Sequence, residues 1–203
     1  MKFFKFLKRI TDRALPLLFW LLLMLAFDSP AMTVLTVAAA ITHELGHIAV
    51  ISFISGGRLT VPRAVISGLR IAPGRMLSYK EEALVAIGGP AINLLVFISL
   101  IPFFSSEYVF TFALLNLLTA ISNLIPIYGY DGYRILRAVI SKFSTPDFSE
   151  RLLSSASLLF SSFAVFTSLF FILKIGEGYW IFTVFFVILV KDILKMHTGE
   201  SDG

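Results

Sequence analysis

Apolar residues fall into six runs along the 203 residues, at about 14–27, 32–54, 83–103, 108–125, 152–173 and 179–194, separated by short polar breaks. A membrane-crossing helix takes about 20 apolar residues, so these runs predict a polytopic all-α membrane protein of about six transmembrane helices, the first of them short. Ahead of the first run, Lys2, Lys5, Lys8, Arg9 and Arg13 alternate with Phe3, Phe4, Phe6, Leu7 and Ile10, the pattern of a basic amphipathic segment on a membrane face. Asp28-Ser29-Pro30 reads as a turn rather than a leader-cleavage site, so the first run is expected to be a retained helix. Between the second and third runs, residues 56–82 are too polar and too interrupted by glycine and proline to cross. Leu59 to Val61 and Ala64 to Ile71 favour strand, with a turn at Ser67-Gly68, which predicts a small membrane-associated β-segment.

Composition sharpens this picture. Hydrophobic residues make up 57% of the chain, which has 21 phenylalanines and a mean hydropathy of +0.88, more apolar side chain than one soluble domain of this length can hide. No repeat or linker divides it, so residues 1–203 are read as one integral-membrane domain in the lipid bilayer, with no nucleic-acid partner expected. With an inside N-terminus, 16 of the 17 Lys and Arg fall on one side and only Lys174 on the other, which predicts a multi-pass protein of the cell membrane with both termini cytoplasmic. The absence of cysteine excludes disulfides and thiolate ligands, leaving nitrogen and oxygen to hold any metal.

Against that background one stretch stands out. Ile41 to Val50, ITHELGHIAV, places His43, Glu44 and His47 inside an apolar run. Each ionisable group at mid-membrane costs roughly 2.5–3.5 kcal/mol on insertion scales, so three together need a reason to be there. Histidines four apart share a helix face and can bind one metal ion, with the glutamate beside them as a base. A catalytic zinc usually takes three protein ligands. His197 lies in the tail, Glu107 in an outer turn, and Glu81 and Glu82 at the inner start of the third run. Asp131 is the best third ligand, because Pro126, Gly129 and Gly132 let the chain leave helical geometry and turn a carboxylate inward. The competing reading of Asp131 is a helix cap for the segment that follows. Asn93 and Asn123 are amides in apolar helices, readable as interhelical hydrogen bonds or as contacts to a substrate.

Taken together, HELGH at His43–His47, Gly89-Pro90-Ala91-Ile92-Asn93, and Asn123-Leu124-Ile125-Pro126 followed by Asp131-Gly132 resemble, in order, the motifs of the site-2 protease family of intramembrane zinc metalloproteases. They cover about Met32 to Leu136, roughly half the chain. Among its members the chain looks most like the small bacterial branch that includes sporulation-factor-processing proteases. The resemblance implies a three-helix catalytic core at about 32–136, with 152–173 and 179–194 as additional helices. It implies Zn2+ held by His43, His47 and Asp131, Glu44 as the catalytic base, and Asn123 with Asn93 as substrate-binding candidates. The implied partner is a transmembrane protein or peptide substrate, with a regulatory membrane partner and the oligomeric state left open. The chain departs from the family at Ile127-Tyr128-Gly129-Tyr130, where many relatives carry a proline-rich run. An edge between Val61 and Ile71 would receive a locally unwound substrate by strand addition. Two other classes stay in view: a metal-ion transporter, against which the lack of two similar halves speaks, and an inactive receptor or adaptor of the same fold, against which Glu44 speaks.

Overall fold

The computed structural model describes residues 29–56, 77–176 and 179–198. Among them all regular structure is helical: α1 (Pro30–Ile54), α2 (Tyr79–Leu100) with a short 3-10 turn (Ile101–Phe103), α3 (Glu107–Asn123), α4 (Asp131–Ile140), α5 (Pro146–Ile175) and α6 (Tyr179–Thr198). The short first run and the strand-like insert lie outside the described residues, apart from the ends of the insert.

The helix starts follow local chemistry. Ser29 accepts a hydrogen bond from the Met32 amide ahead of Pro30, and Ser78 and Glu81 form a reciprocal capping box at α2. Gly176, at φ 79°, ends α5 in a left-handed conformation that glycine adopts without a Cβ penalty. The last helix continues through Thr198, so His197 and Thr198, which the sequence places in a disordered tail, are helical; enough helix-forming residues follow Asp192 to carry it on.

Helix α2 is central, packing against α1, α3 and α4, while α5 and α6 pair with each other and join the rest mainly through α4. The α1–α2 crossing is tight because two glycines face each other. A methyl group at Gly46 would collide with the Gly88 carbonyl, and one at Gly88 would lie 2.7 Å from the Gly46 carbonyl oxygen. Small residues let helix backbones approach this closely in a membrane, where packing rather than apolar burial drives association.

Polarity is distributed the reverse of a soluble protein. His43, Asn93, Asn116, Asp131, Ser157, Ser161 and Asp192 are buried, whereas Phe53, Phe166 and Leu173 are each more than three-quarters exposed. Apolar outside and hydrogen-bonded polar groups inside is the arrangement a bilayer selects. Among the described residues, three helical stretches, Pro30–Ile54, Tyr79–Phe103 and Asp147–Lys174, are long and apolar enough to cross. Helix α3, at 17 residues, spans about 25 Å at 1.5 Å per residue, less than the roughly 30 Å hydrocarbon core.

Candidate metal centre

Three elements converge on one point. His43 and His47 lie one turn apart on α1, where Gly46 brings that helix against α2, and Asp131 opens α4. The chain reaches Asp131 through a compact turn after α3. Ile127 is fully buried, its carbonyl accepts from the Tyr130 amide at 2.9 Å, and Gly129 takes φ 92°. A methyl group at Gly132 would collide with the Leu124 carbonyl, so only glycine lets α4 start this close to the end of α3. Asp131 does not cap its helix. Tyr130 holds the cap position without a side-chain bond, and the carboxylate points to the histidines.

The donor atoms form a nearly equilateral triangle. His43 Nε2 lies 2.9 Å from Asp131 Oδ2, His47 Nε2 lies 3.1 Å from the same oxygen, and the two Nε2 atoms are 3.1 Å apart. Arg134 Nη1 donates to the other carboxylate oxygen, Oδ1, at 3.1 Å, leaving Oδ2 turned to the imidazoles.

The far side of each ring fixes its tautomer. Asn93 Nδ2 donates to the Ala39 carbonyl at 3.1 Å and to Asn116 Oδ1 at 2.7 Å, so the Asn93 oxygen is the atom that faces His43 Nδ1 at 2.8 Å. Asn116 is oriented in turn by its own bond to the Phe112 carbonyl at 2.9 Å. His47 Nδ1 lies 2.7 Å from the Val85 carbonyl. Both Nδ1 atoms therefore face pure acceptors and must carry hydrogen, which leaves both Nε2 atoms as lone pairs in the neutral rings. Three acceptor atoms then face one another in a buried space. A single proton can relieve one pair of them; a divalent cation relieves all three.

The space accommodates such an ion. Zinc bound tetrahedrally at about 2.0–2.2 Å separates its N and O ligands by roughly 3.3 Å, a few tenths of an ångström more than the triangle's edges. Two imidazoles and one carboxylate are a known catalytic zinc donor set with a position left for water. Gly89 of α2 forms the floor: a methyl group there would lie 2.5 Å from His47 Nε2 and 2.6 Å from His43 Nε2. Among the described residues, His43, His47 and Asp131 form the group that could hold a metal ion.

The remaining residues singled out in the sequence fall in different places. Glu44 is half-buried on the same helix and makes no hydrogen bond or ion pair with the described residues. Asn93 is fully buried with both amide hydrogens engaged, which ties it to His43 and leaves it no surface to offer a peptide. Asn123, half-buried at the end of α3, donates to the Thr119 carbonyl of its own helix at 2.9 Å. Asn116, Arg134 and the Val85 carbonyl belong to the site's surroundings, and sequence reasoning did not single them out. Asn116 carried a usable signal, an amide in an apolar run, the same one that marked Asn93.

Neither a protein-family model nor a curated protein matches the chain by sequence. Among solved structures, a site-2 protease from Methanocaldococcus jannaschii superimposes with a TM-score of 0.61 over 94% of this chain and 90% of that one, at 21% sequence identity. The chain thus has the fold of a site-2 protease.

Proposed function

We propose that this protein is an intramembrane zinc metalloendopeptidase of the site-2 protease family, hydrolysing a peptide bond within or near a transmembrane segment of another membrane protein. The observation that carries the proposal is the convergence of His43 Nε2, His47 Nε2 and Asp131 Oδ2, each turned inward by a partner on its far side.

Those three residues would hold zinc, which supplies Lewis acidity that acidifies water and polarises a peptide carbonyl. Glu44, next to His43 and free of competing partners among the described residues, accepts the proton from the attacking water and returns it to the leaving amine. Asn93 holds His43 in its metal-binding tautomer, as outer partners of metal-bound histidines do. Asn123 presents its amide oxygen, which no described residue engages, to the substrate backbone. Burial of the site among helices excludes bulk water from the bond being cut. In the bilayer we place six crossings with both termini cytoplasmic, following the distribution of Lys and Arg.

The test compares wild type with Glu44→Gln. Purified wild type is expected to contain about one zinc per chain, and a co-expressed single-pass membrane protein that it cleaves should remain intact with Glu44→Gln, whose zinc content is unchanged. Equal cleavage by the two proteins would end the proposal, as would wild type without affinity for zinc.

A further inference from the structure

A second buried polar group lies away from the metal ligands, between α5 and α6. Asp192, 4% exposed, accepts on Oδ2 from Ser157 Oγ at 2.8 Å and from Ser161 Oγ at 2.9 Å. The two serines stand one turn apart on α5, both essentially without solvent contact. Lys191-Asp192 reads in the sequence as the point where the last helix leaves the membrane, yet the Asp192 side chain turns inward and is retained by these hydroxyls.

The serines differ in one respect. The Ser157 hydroxyl hydrogen is donated to Asp192 Oδ2, which leaves the lone pairs of Oγ for other donors. There the oxygen accepts from the Tyr128 amide at 2.7 Å. A hydroxyl that donates a hydrogen bond is polarised by it and becomes a better acceptor itself. Tyr128 belongs to the turn that delivers Asp131, three residues upstream and next to Gly129 at φ 92°. Ser161 bonds the same carboxylate oxygen, and on its other side it meets the Leu158 carbonyl of its own helix at 3.3 Å rather than the turn.

We propose that Ser157, oriented by Asp192, is a positioning residue for the metal ligand Asp131: through the Tyr128 amide it clamps the turn, so that the α5–α6 hairpin sets how far Oδ2 reaches toward the two imidazoles. This rests on the metal site proposed above. Metal–ligand distances tolerate only about 0.2 Å of deviation, so a turn released by a fraction of an ångström degrades the site without unfolding the core. Asp192 and the hairpin thereby acquire a part in the chemistry through the turn.

Ser161 supplies the control, because Ser161→Ala deletes the same chemical group from the same helix face and removes the same kind of bond to Asp192, but leaves the turn held. Full-length wild type, Ser157→Ala, Ser157→Thr and Ser161→Ala are purified in one detergent. Two quantities are read: zinc affinity by competition with a chelator, and hydrogen exchange of the backbone amides of 124–131 in metal-free protein. Ser157→Ala should weaken zinc binding by about tenfold and speed exchange at Tyr128, Ser161→Ala should stay within about twofold of wild type, and Ser157→Thr should recover most of the loss. Equal behaviour of the two alanine variants in both measurements overturns the inference, as does unchanged zinc affinity in Ser157→Ala when wild type binds zinc. Should wild type take up no zinc while the exchange contrast persists, the metal reading fails and the clamp on the turn stands.

Discussion

Gly89→Ala is the sharpest perturbation of the metal centre, because it alters no ligand and no hydrogen bond. The added methyl group would stand 2.5 Å and 2.6 Å from the two Nε2 atoms, whereas ordinary contact begins near 3.4 Å. One or both imidazoles must therefore retreat by about 0.9 Å, against a tolerance of about 0.2 Å for a metal–ligand distance. The rings cannot retreat freely, since His43 is tied to Asn93 and His47 to Val85 on the same helix that carries the new methyl. Weakening of zinc binding by at least about 100-fold is expected, about 2.8 kcal/mol at 1.4 kcal/mol per tenfold. Helix propensity works in the opposite direction: alanine favours a helix interior over glycine by about 1 kcal/mol, so the metal-free protein should not lose stability on that account. Chelator competition on purified protein measures the first quantity, and thermal unfolding of the metal-free form in the same detergent measures the second. A Gly89→Ala protein that binds zinc as tightly as wild type would show that the ion does not sit between these rings.

Asn93→Leu, close in volume, removes the acceptor that fixes the His43 tautomer and should weaken zinc binding by about 10- to 100-fold. It also strips donors from the Ala39 carbonyl and Asn116 Oδ1, both buried, so metal-free unfolding should be easier by about 1–3 kcal/mol. Chelation should stop cleavage and lower the unfolding temperature, with zinc restoring both and magnesium neither, because nitrogen donors suit zinc and magnesium demands oxygen. Acidification through the histidine range should release zinc, since both Nε2 atoms must stay unprotonated to bind it; a metal content independent of pH down to 4 would contradict that. Asn123→Ala should raise KM for a membrane substrate several-fold while zinc affinity stays at the wild-type value, the reverse of the Asn93→Leu pattern.

How much of this was legible in the sequence depends on whether the signal sits in a side chain. His43 and His47 announce themselves by spacing, and Asp131 by the helix-breaking residues around it, because a candidate ligand must be a particular residue type at a particular periodicity. The Val85 carbonyl could not be read, since every residue carries one and only the packing of α1 on α2 selects it. Gly89 was legible as a small residue in an apolar helix, but its place beneath two imidazoles follows from the register of that packing. Asn93 was visible as an amide out of place, while its contact with His43 depends on a neighbour fifty residues away. The inward turn of Asp192 was not legible for a different reason: a charge pair near the end of an apolar run reads as a membrane surface, and the two serines that hold this side chain between helices are on another helix.

One helix supplies none of the three donor atoms and yet organises the site. Val85, Gly89 and Asn93 recur every four residues along α2 and so line a single face of it. The first accepts from one histidine, the second makes room for the lone pairs of both, and the third accepts from the other histidine. Gly88, beside that face, is what allows α1 to come within reach. The two imidazoles are thus referenced to one rigid element, and their mutual geometry survives small motions elsewhere in the protein. Asp131 is held differently: it opens α4, which also packs on α2, but it arrives on a turn held by backbone bonds and by Ser157, with Arg134 on its outer oxygen. Perturbations of the α2 face therefore strike both histidines together, whereas perturbations of the turn strike only the carboxylate. The carboxylate is accordingly the donor group whose position the rest of the molecule can adjust.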